Sequence, residues 1–444
     1  MKFTQTYLKL VKKYLPSPMV IAIFLTVFTA VLALFFGQIP ADKNPATFIA
    51  NAWQKGFWEL LEFTMQMVLM LILGHSIALS PVIEKFINRI VSYCKSNAHA
   101  AILVTLFSVL MGYFNWGLGL VFGAILARKV GEYAHEKHIK INYPLIAACG
   151  YTALMVWHGG LSGSAPLTVN KAGHSLENQM DIVPLTETIF SASNMVVFML
   201  CVLVLPIFAW WLSKGKFSDI YPKTKYNNQF DATALQGAEK LDRSEFLAVV
   251  FGGIFLIVWF LQLFEAQFSI NFLSLNNVNF LLFSLAILSH RSLAGFLHSI
   301  ETAILGSTGI IIQFPLYAGI MGLMKYSGLL ESVSQAFVHI SSAKTFPFFA
   351  YLSSAIVNIL VPSGGGQWQV QGPILIEAAQ KLGVSNAKTV MALAYGDQLT
   401  NMLQPFWALP LLGITGLKAR DILPYSVLFM LVGALIFLSA LYLF

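Results

Sequence analysis

Charge is scarce in this sequence. Only 11% of its 444 residues are Asp, Glu, Lys or Arg, while 57% are hydrophobic. A soluble domain carries about 25% charged residues to cover its surface, so this chain cannot coat a particle of its size in water. The same shortage, with a mean hydropathy of +0.71, excludes disorder, coiled coil and collagen-like architecture. Cysteine is equally sparse. Cys94, Cys149 and Cys201 cannot build a multi-bridge framework and lack the spacing of metal ligands. A contiguous basic face is missing too. The net charge of +7 comes from short clusters between apolar runs, the positive-inside pattern of a membrane protein, and no nucleic-acid partner is expected. Lys9, Lys12 and Lys13 before the apolar run Met19–Phe36 imitate a signal peptide, but the many spans that follow make this an uncleaved first helix.

A membrane-crossing helix needs roughly 20 mostly apolar residues. The runs 19–39, 57–80, 189–212, 246–264, 300–324 and 422–444 meet this, with a weaker one at 272–290 that contains Asn276, Asn277 and Asn279. The runs 144–171 and 388–415 are long but broken by Gly, Pro and polar residues. Segments 101–127 and 346–381 are interrupted at Phe114-Asn-Trp-Gly117 and Pro362-Ser-Gly-Gly-Gly366. Each arm of about 13–15 residues reaches roughly 20 Å, too short for a core about 30 Å thick. Lys85, Arg89 and Lys95 precede the first of these segments, and Arg128, Lys129, Lys137 and Lys140 follow it. Both segments therefore read as re-entrant hairpins whose tips are buried in protein. Nine crossings put the N-terminus in the cytoplasm and the C-terminus in the periplasm, with twenty Lys and Arg inside against seven outside.

The two halves share an order of elements: span, hairpin, broken span, final span. Gln66 precedes Asn115 by 49 residues and Gln313 precedes Ser363 by 50, and each tip carries a tryptophan, Trp116 or Trp368. The expectation is an all-α polytopic membrane protein of two inverted repeats, residues 1–212 and 245–444, joined by a cytoplasmic linker at 213–244. Inverted repeats with broken helices are a transporter signature, with the site where the breaks meet.

Each break has its own chemistry. Pro362 disfavours helix at Val361, three glycines allow a sharp turn, and a helix restarting near Gln367 would present free N–H groups to an anion without any arginine. Close helix packing is the plainer reading of those glycines. In the break from His158 to Pro166, Ser164 can cap a restarted half-helix, and Ser162 supplies a second hydroxyl. His158 reads either as a donor to a carboxylate or as a structural histidine. Substrate contacts are thus expected from Asn115, Trp116, Gly117, Ser162, Gly163, Ser164, Ser363, Gly364, Gly365, Gly366, Gln367 and Trp368. Trp116, Trp157, Trp368 and Trp407 flank the breaks and would wall a pocket for a short apolar tail.

An acid inside a span is a functional residue by default. Asp397 is one, and Pro405 removes the hydrogen bond to the Asn401 carbonyl, freeing an oxygen. Asp397, Thr400, Asn401 and His158 are expected to couple transport to a cation. Desolvation of Asp397 favours a proton, and coordination by Asp397 and Asn401 would favour Na⁺. No other metal and no resident cofactor is expected. The absence of Arg near the midplane points to one small anion rather than a di- or tricarboxylate.

The run Val361-Pro-Ser-Gly-Gly-Gly-Gln-Trp368 with Gln371-Gly-Pro373, then Ala394-Tyr-Gly-Asp-Gln398, then Gln404-Pro-Phe-Trp-Ala-Leu-Pro410, closely resembles the short-chain fatty acid transporter family of the AtoE type. Phe114-Asn-Trp-Gly117, Gly159-Gly160 and Ser162-Gly-Ser164 resemble its first-half motifs, so the resemblance runs from about Tyr14 to Phe444. It implies uptake of acids such as acetoacetate or butyrate across the bacterial inner membrane. Two positions depart from it: Asp397, where Glu is common, and Gln367, where His is common.

The expected function is a secondary transporter of short-chain monocarboxylates driven by H⁺ or Na⁺, in contact with the lipid bilayer. A homodimer is left open. An exchanger or symporter of another small organic anion is the alternative. A membrane enzyme is the remote one: Gly160-Leu-Ser-Gly163 matches the motif of intramembrane serine proteases, but the later histidines His174, His290, His298 and His339 fall near span ends.

Overall fold

The computed structural model describes residues 16–81, 85, 89–174, 176–215, 217–218, 220–222, 237–269, 272 and 274–444. Lys9, Lys12 and Lys13, and residues 223–236 of the expected linker, lie outside the described residues. The described chain is helical, with no strand among the described residues. The first half comprises α1 (Pro18–Phe36), α2 (Pro45–Glu59), α3 (Leu61–Leu79), α4 (Asn97–Phe114), α5 (Trp116–Glu136), α6 (Tyr143–Tyr151), α7 (Ser164–Val169) and α8 (Ala192–Ser213). The second comprises α9 (Glu245–Glu265), α10 (Leu275–His290), α11 (Leu293–Ile304), α12 (Thr308–Tyr326), α13 (Leu329–His339), α14 (Phe346–Leu360), α15 (Gly364–Leu382), α16 (Asn386–Thr400), α17 (Pro405–Thr415) and α18 (Ala419–Leu443).

Helix starts follow from side chains that satisfy otherwise orphaned N–H groups. Ser96, Asn115, Asn142, Ser191, Ser274, Ser363 and Ser385 each accept from the backbone N–H three residues on. Among the described residues, seven helices are long and apolar enough to cross a membrane: α1, α2–α3 over Pro45–Ile77, α4, α8, α9, α11–α12 over Leu293–Tyr326, and α18. The protein is therefore a multi-pass membrane protein. The asparagine-rich start of α10 is accommodated by Gln66 of α3, whose Nε2 donates to Asn276 at 2.9 Å and whose carbonyl accepts from Asn279 at 2.8 Å.

Both interrupted segments reverse direction. In the first, Gly119 meets Gly112 and Gly123 meets Ser108, pairs that straddle Asn115. In the second, Gln367 Nε2 donates to the Ser354 carbonyl and Gln371 Nε2 to Ser353 Oγ, pairs that straddle Pro362. Three of the four arms are longer than expected, with 18 and 21 residues in the first hairpin and 19 in the outgoing arm of the second, whose incoming arm has 15. The outgoing arm α5 runs on past Arg128 because that charge is satisfied within the protein: Nε lies 2.8 Å from Glu132, and Nη1 donates to the Ile414 carbonyl at 2.6 Å. Both broken spans are interrupted, at 152–163 between α6 and α7 and at 401–404 between α16 and α17. The bent pair α2–α3 crosses the bent pair α11–α12 where Gly56 and Gly322 pack backbone to backbone.

Candidate functional site

A cavity of about 400 Å³ lies where the interruptions meet, within the range of about 300–1,000 Å³ typical of small-ligand sites. The first hairpin tip contributes Asn115 and Trp116, and the second contributes Ser363, Gly364 and Gly365. The first broken span contributes Trp157, Ser162, Ser164, Leu167, Thr168 and Lys171, and the second contributes Trp407. Phe63 of α3 and the α10 start, Ser274 and Leu275, complete the wall. The two tips thus face one space.

Local hydrogen bonds fix this convergence. Trp116 N donates to Ser162 Oγ at 2.9 Å, and Leu161 N to the Tyr113 carbonyl at 2.7 Å, binding the first tip to the first break. Ser363 caps α15 by accepting from Gly366 N. The amides of Gly364 and Gly365, in the first turn, are left at the cavity wall with the positive end of the helix dipole. The rings of Phe63, Trp116, Trp157 and Trp407 pack mutually, with Trp116 5.0 Å from Trp407 and 6.0 Å from Trp157.

Behind Gly364 lies a dry ionisable pair. His158 is 0% exposed and Asp397 1%, and Nδ1 of the first stands 2.5 Å from Oδ2 of the second. The other imidazole nitrogen, Nε2, accepts from Ala165 N at 3.1 Å. An acceptor at Nε2 places the ring proton on Nδ1, so a neutral His158 donates to an Asp397 carboxylate. Asp397 Oδ1 is buried and without a partner among the described residues. Gln398 Oε1 accepts from the amides of His158 and Gly159, holding the break against α16.

Beneath Asp397, Asn358 of α14 organises the second break. Its Nδ2 donates to the Asp397 carbonyl, Thr400 Oγ1 and Asn401 Oδ1, and its own carbonyl accepts from Gln404 Nε2. The Asn401 carbonyl, expected to be free, is not. Tyr151 Oη donates to it at 2.8 Å and to the Gln404 carbonyl at 3.0 Å. A buried oxygen released by proline finds another donor because an orphaned acceptor is costly.

Of the expected substrate residues, Asn115, Trp116, Ser162, Ser164, Ser363, Gly364 and Gly365 line the cavity, and Gly117, Gly163, Gly366, Gln367 and Trp368 do not. Gly117 packs against Met70, and Gly163 against the His158 carbonyl. Gly366 N is consumed by Ser363, and Gln367 turns to Ser354 and Gln371. Trp368 is fully buried. Helix α15 begins at Gly364, not near Gln367, because Ser363 serves as its cap. Ser164 is the first helical residue rather than the cap of α7, a position held by Gly163. Asp397, Thr400, Asn401 and His158 fall in one hydrogen-bonded network. Sequence reasoning missed Lys171, the one basic residue lining the cavity, although it ends the first broken span. It also missed Asn358, whose signal was a buried carboxamide three residues before Val361. Among the described residues no histidine is hydrogen-bonded to Ser162, since both nitrogens of His158 are engaged elsewhere.

The sequence pattern of the family described as "Short chain fatty acid transporter" matches residues 1–444. A Haemophilus influenzae protein named as a short-chain fatty acid transporter is 38% identical, covering 97% of each chain, and an Escherichia coli protein of the same name is 36% identical, covering 98% of each. Among solved structures, the Alcanivorax borkumensis YdaH transporter shares 15% identity over 96% of this chain and 97% of that one, with a TM-score of 0.45. Neisseria gonorrhoeae MtrF shares 15% over 98% and 97%, with a TM-score of 0.44.

Proposed function

Since this chain belongs to the short-chain fatty acid transporter family, we propose that it carries monocarboxylates of the acetoacetate and butyrate class across the bacterial inner membrane as a proton-coupled secondary transporter. The observation that carries this reading is the placement of a small, aromatic-walled cavity in front of a buried His–Asp pair, with Gly364 and Trp157 between them. The carboxylate sits on the amides of Gly364 and Gly365, with Ser162 and Ser164 beside it, and Lys171 draws it in. The short chain lies against Trp116, Trp157, Trp407 and Phe63. Neutral amides and one lysine suit a single negative charge.

The coupling proton goes to Asp397 Oδ1, the carboxylate oxygen that His158 leaves unpartnered. A buried net negative charge is costly, and one proton removes it. Substrate and proton then cross together as the inverted halves rock, with the N-terminus cytoplasmic and the C-terminus periplasmic. Sodium is the second reading, favoured by the buried, unpartnered oxygens Asn358 Oδ1 and Gln404 Oε1 near the Asp397 backbone.

Proteoliposomes holding the purified protein test this. Labelled butyrate or acetoacetate should accumulate under an inward proton gradient at zero sodium. Accumulation only under a sodium gradient would replace the proton, and no uptake under either would sink the assignment.

A further inference from the structure

A second cavity, of about 500 Å³, shares no lining residue with the first and sits at the start of α2, where the chain returns to the bilayer after α1. Lys43, Asn44, Thr47, Asn51 and Lys55 line it together with the rings of Phe48 and Tyr326. Residues 44, 47, 51 and 55 recur at helical spacing and so share one face of α2.

Positive charge dominates the lining of this cavity. No lining residue is acidic, and among the described residues neither lysine is ion-paired to a carboxylate. Their ammonium groups instead stand over rings, Lys43 at 5.6 Å from Phe48 and Lys55 at 4.2 Å from Tyr326. Glu59, one turn beyond Lys55, is already taken by Lys325 at 3.3 Å and by the Tyr326 hydroxyl. Asn44 Oδ1 accepts from Ala46 N and Thr47 N, so the helix start is closed and the Asn44 carboxamide N–H groups remain as donors. The Thr47 hydroxyl is spent on Asn44 Oδ1 and that of Tyr326 on Glu59, so two ammonium groups beside carboxamide donors remain, the chemistry of a phosphate site.

The surroundings indicate where that phosphate comes from. Phe24, Phe28, Phe35 and Phe36 of α1 are exposed, as are Trp58 of α2 and Leu61 and Met65 of α3. In a membrane protein such a face meets acyl chains, and an exposed tryptophan such as Trp58 suits the headgroup level. Basic cavities between membrane helices take anionic headgroups. We propose that this cavity binds the phosphate of an anionic phospholipid, with its acyl chains along the exposed face of α1.

Native mass spectrometry of the full-length protein with equal phosphatidylglycerol and phosphatidylcholine tests this, read against Lys43→Ala/Lys55→Ala. Phosphatidylglycerol should be retained preferentially, and its retention should fall roughly fivefold for each lysine removed. A charge-matched control, Lys137→Ala/Lys381→Ala, should retain it as the parent does and so separates site loss from general charge loss. Equal retention of both lipids, or undiminished retention in the cavity variant, would overturn the proposal. Displacement of the lipid by millimolar inorganic phosphate, in a lysine-dependent way, would assign the cavity to a soluble phosphate and overturn the lipid as occupant.

Discussion

His158 Nδ1 and Asp397 Oδ2 lie 2.5 Å apart although 239 residues separate them in the chain. One belongs to the first broken span and the other to the second, so a buried charge-assisted hydrogen bond joins the two halves of the molecule. Such bonds are roughly twice as strong as neutral ones, and this one is shielded from water on every side.

Asp397→Asn keeps the shape of the side chain and removes the charge. In proteoliposomes the variant should exchange substrate across the membrane but no longer accumulate it against a gradient. Concentrative uptake equal to the parent's would remove Asp397 from the coupling role. His158→Gln tests the other partner, and it should lower concentrative uptake by about tenfold or more if a bond worth roughly 1.5–3 kcal/mol is lost.

Gly364 is fixed by close approach. A Cβ there would stand 2.8 Å from both His158 Cε1 and Trp157 Cη2, two ring atoms of stacked side chains 4.4 Å apart by centroid. Gly364→Ala should push the second hairpin tip away at a cost of about 1–3 kcal/mol. A lowered Tm together with loss of uptake is the expected result, and unaltered butyrate transport would show that the tip does not touch the substrate.

Lys171 is exposed at the cavity, so its attraction is screened by salt. Lys171→Gln should raise KM about two- to fivefold at low ionic strength with little change in maximal rate, as expected for an exposed ion pair worth up to roughly 1 kcal/mol. Raising the salt should narrow the gap between parent and variant. A KM independent of residue 171 would place the carboxylate elsewhere.

Ser162 accepts the Trp116 amide. Ser162→Ala leaves that N–H unpaired and should destabilise the tip by about 1–3 kcal/mol, seen as a lower Tm and weaker binding. Ser162 should also resist a fluorophosphonate probe, since among the described residues no histidine is hydrogen-bonded to it. Stoichiometric labelling would reopen enzymatic chemistry at this break.

Much of this architecture was legible from composition and interruptions alone. The hairpin tips at Asn115 and Ser363 announce themselves because a polar cap inside an apolar run has no other reason to be there. Asp397 stands out for the same reason. The hidden part depends on partners distant in sequence. That the Asn401 carbonyl is already served follows from Tyr151, 250 residues away, and an aromatic in an apolar helix gives no hint of its hydroxyl's target. That Gly117, Gln367 and Trp368 stand off the cavity is not readable from the motifs, because position in a motif does not say what a residue packs against. Lys171 was overlooked because a lysine at a span end ordinarily belongs to the interface.

The Tyr151 hydroxyl has one hydrogen and serves two carbonyls, those of Asn401 and Gln404. If α6 slid past the second break by even an ångström or two, both oxygens would lose their donor at once in a place water does not reach. The tyrosine therefore pins the two interrupted helices to each other, and the level at which both chains break is also the level at which they are fastened.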